Sequence, residues 1–281
     1  MKTFEKIIDL KAEINTAKQQ GKKVGFVPTM GALHSGHVSL IKKAKSESDL
    51  VVCSIFVNPI QFNDTSDLEK YPRTLEADIQ KLKDAGCDIV FVPSVEEMYP
   101  EAAQEKYSFG ELEEVMEGPS RPGHFNGVAV VVKRLFDITE PHKAFFGEKD
   151  FQQLAIIRRL VEDQKMPIEI VGCPIVREHD GLAMSSRNVR LTQQERQLAP
   201  TIHKILSEAK ERSKEIDQTK NIKDEVMARF CSIPEFRMEY FEIVDDKTLQ
   251  PIDFISETNG VVGCIAIWLG SVRLIDVIRF K

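Results

Sequence analysis

The chain has 281 residues, a formal net charge of −6 and 42% hydrophobic residues. That is enough apolar material for real cores, and the length suggests two domains. The acidic balance argues against a general nucleic-acid binder. No run approaches the ~18 apolar residues of a membrane span, and the charged start Met1-Lys2-Thr3-Phe4-Glu5-Lys6 does not read as a signal-peptide core.

From residue 1 to about residue 176, short apolar runs alternate with helical patterns. Strands are expected at 23–29, 50–58, 88–93, 144–147 and 168–176. Helices are expected from 38, at 75–85, at 127–136 and at 150–163. This alternation predicts a Rossmann-like parallel sheet with helices on both faces, and ligands at the carboxyl ends of its strands. Two polar stretches, 61–74 and 95–123, are long for connections and read as lids, interfaces or mobile segments. After Val176 the pattern changes. Residues 192–213 read as one amphipathic helix with Leu198, Ile202, Ile205, Leu206 and Ala209 on a stripe. Residues 219–231 read as a second helix, with Ile222, Val226, Met227 and Phe230 inward and Pro234 beyond its end. Strands at 236–244, 261–269 and 273–280 follow, the last two joined as an antiparallel hairpin through Leu269-Gly270-Ser271. A first domain over 1–176 and a smaller C-terminal α+β domain over 177–281 are therefore expected. The five cysteines Cys53, Cys87, Cys173, Cys231 and Cys264 lie mostly in apolar runs and read as reduced, which suits a cytoplasmic protein.

The densest chemistry lies in Pro28-Thr29-Met30-Gly31-Ala32-Leu33-His34-Ser35-Gly36-His37. This segment joins a strand to a helix, so free backbone N–H groups at the helix start would converge on a phosphate seat. His34 and His37, three residues apart, share a face. Two imidazoles there suit charge developing on a phosphate in a transition state. A zinc site would need further ligands at metal spacing, but His124, His142, His179 and His203 are scattered and no Cys-x-x-Cys occurs. The spacing singles out no metal ligands.

Four other segments carry candidates. Asn58 and Gln61, in 56–62, suit a polyhydroxylated or amide-like substrate; a strand-ending Asn-Pro turn explains Asn58 equally well. In Phe146-Gly147-Glu148-Lys149-Asp150-Phe151-Gln152-Gln153, Gly147 permits close approach and Lys149 offers a point charge for phosphate. Asp150 can cap a helix or hold ribose, and Gln153 follows one turn after Lys149; a capped surface helix accounts for the same residues. Arg121 and His124 form a basic turn that serves either the site or the fold. Met184-Ser185-Ser186-Arg187 can set a cation and hydroxyls on a polyphosphate, or be a polar turn. The glycine pattern Gly-x-Gly-x-x-Gly is absent, so neither NAD nor FAD is expected.

His34-Ser35-Gly36-His37 resembles the His-x-Gly-His signature of the nucleotidylyltransferase superfamily, and the 184–187 segment is similar to its Lys-Met-Ser-Lys-Ser loop. Taken together, 28–37, 56–62, 71–74, 121–126, 146–153 and 184–188 resemble the pantoate–β-alanine ligase family, in its order and across both expected domains. The resemblance implies ATP-dependent condensation of (R)-pantoate with β-alanine, giving pantothenate, AMP and pyrophosphate through a pantoyl adenylate. It implies an ATP site of Met30, Gly31, Ala32, Leu33, His34, Ser35, Gly36, His37, Gly147, Glu148, Lys149, Asp150, Val176, Met184, Ser185, Ser186 and Arg187. His37 would be the proton donor, with His34 and Lys149 as further catalytic donors to phosphoryl charge. Gln61 would contact pantoate and β-alanine, and Gln153 pantoate. A cytoplasmic, Mg²⁺-dependent homodimer with no nucleic-acid or membrane partner is also implied. Three alternatives stand beside this reading: a nucleotidylyltransferase making a dinucleotide or CDP-alcohol, a class I aminoacyl-tRNA synthetase relative, and a non-catalytic nucleotide sensor. No anticodon-binding domain is evident, and a sensor has no use for His34, His37, Lys149 and Gln61 together.

Overall fold

A computed structural model describes residues 1–62 and 65–281. The chain divides into two compact units. One comprises Met1–Phe109, Arg121–Gly147 and Gln153–Pro174; the other comprises Gly110–Ser120, Glu148–Gln152 and Ile175–Lys281.

The first unit is built on six strands, β1 (Lys2–Phe4), β2 (Val24–Thr29), β3 (Leu50–Ile55), β4 (Ile89–Phe91), β5 (Lys143–Gly147) and β6 (Glu169–Cys173). They form one parallel sheet in the order β1-β4-β3-β2-β5-β6, as expected from the alternation. Strands covered on both faces must be apolar throughout, and every residue of β3 is buried. On one face the helix Ser35–Glu47 sets Leu40, Ile41 and Ala44 against Val27, Val51, Cys53 and Phe145. On the other, Phe136 of the helix His124–Thr139 packs edge-on against Phe26 and Phe146. β1 was not anticipated: three residues are too few for the period of two to show. The stretches 61–74 and 95–123 are less irregular than expected, because they include the short helices Thr65–Glu69, Val95–Met98 and Glu117–Ser120. Residues 63 and 64 of the first stretch lie outside the described residues.

Chain direction in this sheet runs from β2 outward through β3 to β4, then returns to the opposite side of β2 for β5. The order therefore reverses between β2 and β5. β2 pairs with β3 from Val24 to Thr29, yet pairs with β5 only at Gly25↔Lys143 and Phe26↔Ala144. The two strands part before their carboxyl ends, which opens the crevice where open parallel sheets bind ligands.

The second unit has an antiparallel sheet of β7 (Phe236–Asp245), β8 (Val261–Leu269) and β9 (Val272–Arg279), with β8 central. The expected hairpin is present, with Leu269 paired to Val272 around Gly270 at φ +56°. The expected single helix over 192–213 is in fact two, Gln193–Leu198 and Thr201–Arg212. Pro200 is the reason: it has no N–H to continue the ladder but fits the start of a new helix. Ile202, Ile205, Leu206 and Ala209 still form the buried stripe, against Ile222, Val226 and Phe230 of the helix Thr219–Cys231. Met227, expected inward, is 49% exposed, because it follows Val226 around the helix by one residue and points off the buried stripe. Four cysteines are buried, and Cys231 is exposed. Among the described residues no helix is long and apolar enough to cross a membrane.

Charged side chains knit the second unit together. The register of β7 slips between Met238 and Tyr240, a bulge that lets the adjacent Glu239 and Tyr240 join one network. Arg273 on β9 donates to both carboxylate oxygens of Glu117 at 3.0 and 2.8 Å and to both of Glu239 at 2.9 Å. The Tyr240 hydroxyl donates to Glu117 at 2.6 Å, and Trp268 Nε1 donates to Glu239 at 2.9 Å. The hydrogen bond from Arg273 outweighs burial and holds the Glu239 carboxyl down at about 2. A carboxylate whose folded pKa lies below its unfolded value stabilises the fold above the unfolded value, near 4.5, and loses that contribution as pH falls toward about 2. Acid titration followed by tryptophan emission should therefore show the Trp268 environment intact at pH 5 and failing below pH 4. Arg273→Met should move that failure to higher pH; an unmoved acid midpoint would remove the network's role.

Candidate functional site

The histidine segment leaves the carboxyl end of β2 beside the β2/β5 crevice. Gly31 and Ala32 take left-handed backbone conformations, φ +82° and +48°. A Cβ on Gly31 would lie 3.1 Å from Ile55 Cγ2 and 3.2 Å from Asp78 Oδ2, so the turn is tight as well as left-handed. Asp78, on the helix Leu75–Asp84, is 1% exposed and receives the Ala32 N–H at 2.8 Å on Oδ2 and the Leu33 N–H at 2.7 Å on Oδ1. The Thr74 hydroxyl donates to the same carboxylate at 3.2 Å, and Lys81 Nζ donates to the Leu33 carbonyl at 2.5 Å.

His34 is the N-cap of the helix Ser35–Glu47, and the two histidines cap it reciprocally. The Gly36 N–H donates to His34 Nδ1 at 3.1 Å, and the His34 N–H donates to His37 Nδ1 at 3.3 Å. The rings lie face to face at a tilt, centroids 4.1 Å apart. A ring nitrogen that accepts carries no proton, so each neutral ring keeps its proton on Nε2 and presents that N–H as its donor.

One expectation is corrected here. Five backbone N–H groups of the turn are already taken within the chain. The Gly31 N–H is taken by Thr29 Oγ1 at 3.3 Å, those of Ala32 and Leu33 by Asp78, and those of His34 and Gly36 by the imidazoles. An anion arriving here would meet donors on side chains in place of these peptide groups.

Gln61 ends the short turn Pro59–Gln61 after β3 and is half-buried; its amide N–H donates to Met30 Sδ at 2.9 Å. Asn58, 1% exposed, spends its amide inside the protein: it donates to Gln61 Oε1 at 3.2 Å and to the Gly127 carbonyl at 3.1 Å, and accepts from Tyr99 at 3.0 Å. This geometry gives Asn58 the work of orienting Gln61. His124, 6% exposed, has Nδ1 2.8 Å from the Gln61 carbonyl, which can only accept, so His124 donates and braces the same turn. Arg121 is half-buried. Gly147 ends β5, where an added Cβ would meet no heavy atom within 4 Å, and Gln153 is half-buried in the first turn of the helix Phe151–Asp163.

In the second unit, Glu148 and Lys149 are half-buried and Asp150 exposed on a short turn. Val176 and Met184 are joined directly, because the Met184 N–H donates to the Val176 carbonyl at 3.0 Å. Ser185 then caps the turn Ser186–Arg190 by accepting the Arg187 N–H at 3.2 Å, and Asn188 donates to the Ala183 carbonyl at 3.0 Å. Arg177 anchors this hairpin: it grips Asp276, 3% exposed, through two hydrogen bonds of 2.7 and 3.0 Å.

A sequence model described as pantoate-beta-alanine ligase matches residues 2–279. The chain belongs to the pantoate–β-alanine ligase family. It is 52% identical to a pantothenate synthetase of Bacteroides fragilis, over 100% of this chain and 99% of that one, and 51% identical to one from Porphyromonas gingivalis over the full length of both. Among solved structures, pantothenate synthetase from Thermus thermophilus matches with a TM-score of 0.93 at 42% identity, covering both chains fully. Pantoate-beta-alanine ligase from Francisella tularensis, described as complexed with beta-gamma ATP and beta-alanine, matches with a TM-score of 0.82 at 37% identity, covering 100% of this chain and 98% of that one.

Within this family member, a hollow of about 670 Å³ lined by Lys18, Phe136, Glu140, His142 and Met166 lies at the amino ends of β2, β5 and β6, away from the histidine turn. Parallel sheets bind at the opposite end. Among the described residues no group of three or more His, Cys, Asp or Glu could hold a metal ion. The described residues do not fit a protein-built Mg²⁺ cage.

The residues that sequence reasoning passed over are Asp78, Lys81, Thr29, Tyr99 and Arg177. Thr29 lies inside the 28–37 segment without a role assigned to it, and the other four lie outside the motif segments singled out; Asp78 in particular is one acidic residue of an amphipathic helix until its burial is known. Gly127 was read only as a helix residue. A Cβ there would lie 2.4 Å from the Ile60 carbonyl oxygen and 2.7 Å from Gln61 Cα, both backbone atoms. Gly127→Ala should therefore displace the Gln61 turn and cost about 1–3 kcal/mol, measurable as a lower urea midpoint; an unchanged midpoint would show that the turn yields freely.

Proposed function

We propose that this chain condenses (R)-pantoate with β-alanine at the expense of ATP, giving pantothenate, AMP and pyrophosphate. Family membership across the chain supports the overall reaction. The observation that bears most on mechanism is the pair of adjacent imidazoles after the carboxyl end of β2, tilted 45° to each other, with both Nδ1 atoms committed and the proton of each neutral ring on Nε2.

In this reading a pantoate carboxylate oxygen attacks the α-phosphorus of ATP, the bond to the bridging oxygen breaks, and pyrophosphate leaves. Negative charge grows on the phosphoryl oxygens and the leaving group. Donors already aimed at that charge lower the barrier without reorganising. His37 and His34 supply Nε2–H groups as hydrogen-bond donors, and His37 acts as the proton donor from its imidazolium form, in which Nδ1 gives up the His34 N–H. Met30, Gly31, Ala32, Leu33, Ser35 and Gly36 shape the nucleotide side of the turn. Gln61 and Gln153 hold pantoate, Gln61 also meeting β-alanine, and Asn58 sets the Gln61 amide. The β-alanine amine then attacks the acyl carbon of the pantoyl adenylate, forms the amide, gives up a proton and expels AMP.

The roles of Gly147, Glu148, Lys149, Asp150, Val176, Met184, Ser185, Ser186 and Arg187 on ATP rest on the family resemblance. So do Mg²⁺, which would travel on the ATP phosphates, the homodimer and the cytoplasmic location. A smaller C-terminal domain acting as a cover over ATP belongs to the same proposal.

Incubation of the protein with Mg²⁺-ATP and pantoate, with and without β-alanine, tests the reading. Catalytic AMP and pyrophosphate that require both substrates are expected. ADP and phosphate would mean an acyl-phosphate route and overturn the histidine roles. ATP binding without turnover would favour a nucleotide sensor. His37→Ala and Lys149→Ala should each lose ~10²–10³ in kcat while remaining folded; normal turnover in either would remove its assigned role.

A further inference from the structure

Three groups in the first unit converge on the two peptide groups that flank Leu33. The Leu33 N–H is held by Asp78, the Leu33 carbonyl is held by Lys81, and the N–H on the far side of that carbonyl belongs to His34 and donates to His37 Nδ1. Asp78 also holds Ala32, one residue earlier. Asp78 and Lys81 are three residues apart on one helix, so they project from the same face and grip both edges of the strand leaving β2.

We propose that Asp78 and Lys81 are positioning residues for the two histidines: Asp78 locks the left-handed turn that places them, and Lys81 biases the protonation pattern of His37 through the Leu33–His34 peptide group. Asp78 supplies two acceptors in a fixed fork, which a neutral amide cannot copy. Its carboxylate fills the seat that a phosphate would otherwise find on the Ala32 and Leu33 N–H groups. Nucleotide phosphate is thereby steered to the imidazole donors. Lys81 acts one bond further on. A cation on a peptide oxygen draws electron density from the C–N unit and makes the attached N–H a stronger donor. That N–H is the one His37 Nδ1 accepts, so the cation favours the His37 form with its proton on Nε2.

The proposal rests on the reading of His34 and His37 as phosphate donors, and its test separates the two. Full-length protein labelled with ¹⁵N-histidine gives side-chain spectra in which His34 and His37 are assigned by His34→Gln and His37→Gln. Wild type should show both rings in the Nε2–H form. Asp78→Ala should lower kcat about 10²-fold, the scale of a misplacement of about 1 Å, with a smaller change in the KM for ATP, and should disperse both histidine patterns. Sodium formate, a carboxylate small enough to refill the seat, should restore part of kcat saturably. Lys81→Met, a change at an exposed position that leaves folding intact, should lower kcat about fivefold to tenfold and shift His37 alone toward a mixed pattern, with Lys81→Arg recovering most of the loss. Variants that keep wild-type kcat overturn the proposal. So does a fall in kcat with unmoved histidine spectra, because that is the mark of a merely structural role. A wild-type protein without ligase turnover whose histidine patterns still move in Asp78→Ala and Lys81→Met would sink the functional reading and leave the clamp standing.

Discussion

The carboxylate of Asp78 reaches back to a turn 46 residues earlier in the chain and takes two of its backbone N–H groups. Both the position and the chemistry of the histidine pair depend on this. A non-glycine residue in the left-handed region, such as Ala32 at φ +48°, costs about 1–2 kcal/mol. Each hydrogen bond to a charged acceptor returns about 1.5–3 kcal/mol. The two bonds to Asp78 therefore outweigh the strain, and the turn is held in a conformation that it would not adopt alone. Without that turn, His34 would not arrive at the N-cap, and neither imidazole would find the backbone N–H that fixes its tautomer.

Buried charge plays a different part in the second unit. Arg177 with Asp276, and Arg273 with Glu117 and Glu239, are desolvated pairs, and such pairs are weak contributors to stability when compared with apolar packing. Their geometry is nevertheless restrictive: a guanidinium satisfies two carboxylates only in one plane and register. Arg177 ties the hairpin that leads into Met184 and Ser185 to strand β9 through Asp276. Arg273 fixes residues 110–120 to the same sheet, and the β7 bulge exists where Glu239 and Tyr240 must both turn toward it. These pairs specify arrangement where apolar contact alone would allow sliding.

Much of the fold was legible because its signals are periodic and local. The apolar runs of β2 to β6, the switch to amphipathic helices after Val176 and the Gly270 turn are all patterns within a few residues. The helix break at Ala199-Pro200 was equally local, but the continuous apolar stripe masked it. For the proposed site, the motifs supplied the candidates. What escaped is the set of residues that act at a distance in sequence: Asp78 on 31–33, Tyr99 and Gly127 on 58–61, and Arg177 on Asp276. Each is unremarkable in type and spacing, and each acquires meaning only when topology sets it against a backbone group or a buried partner. The occupied N–H groups of the turn were hidden for the same reason. A glycine-rich strand-to-helix turn does suggest open N–H groups, and only the fold reveals an acidic side chain already in place.

That substitution of side chain for backbone has a chemical consequence. A nest of peptide N–H groups binds phosphate at constant strength, because its donors cannot change protonation. An imidazole can donate a hydrogen bond from Nε2–H to a phosphoryl oxygen and, once protonated on both nitrogens, can pass a proton to a leaving group. A site that must stabilise growing charge on a departing pyrophosphate, then let the product go, gains from donors of the second kind. By occupying the peptide groups with Asp78, the fold removes a fixed anion trap from the end of β2 and favours there donors whose strength follows the charge they meet. An acidic residue beside the proposed phosphate site then has a purpose that its charge alone would contradict: it fills the backbone seat on Ala32 and Leu33 and leaves recognition to the histidines it positions.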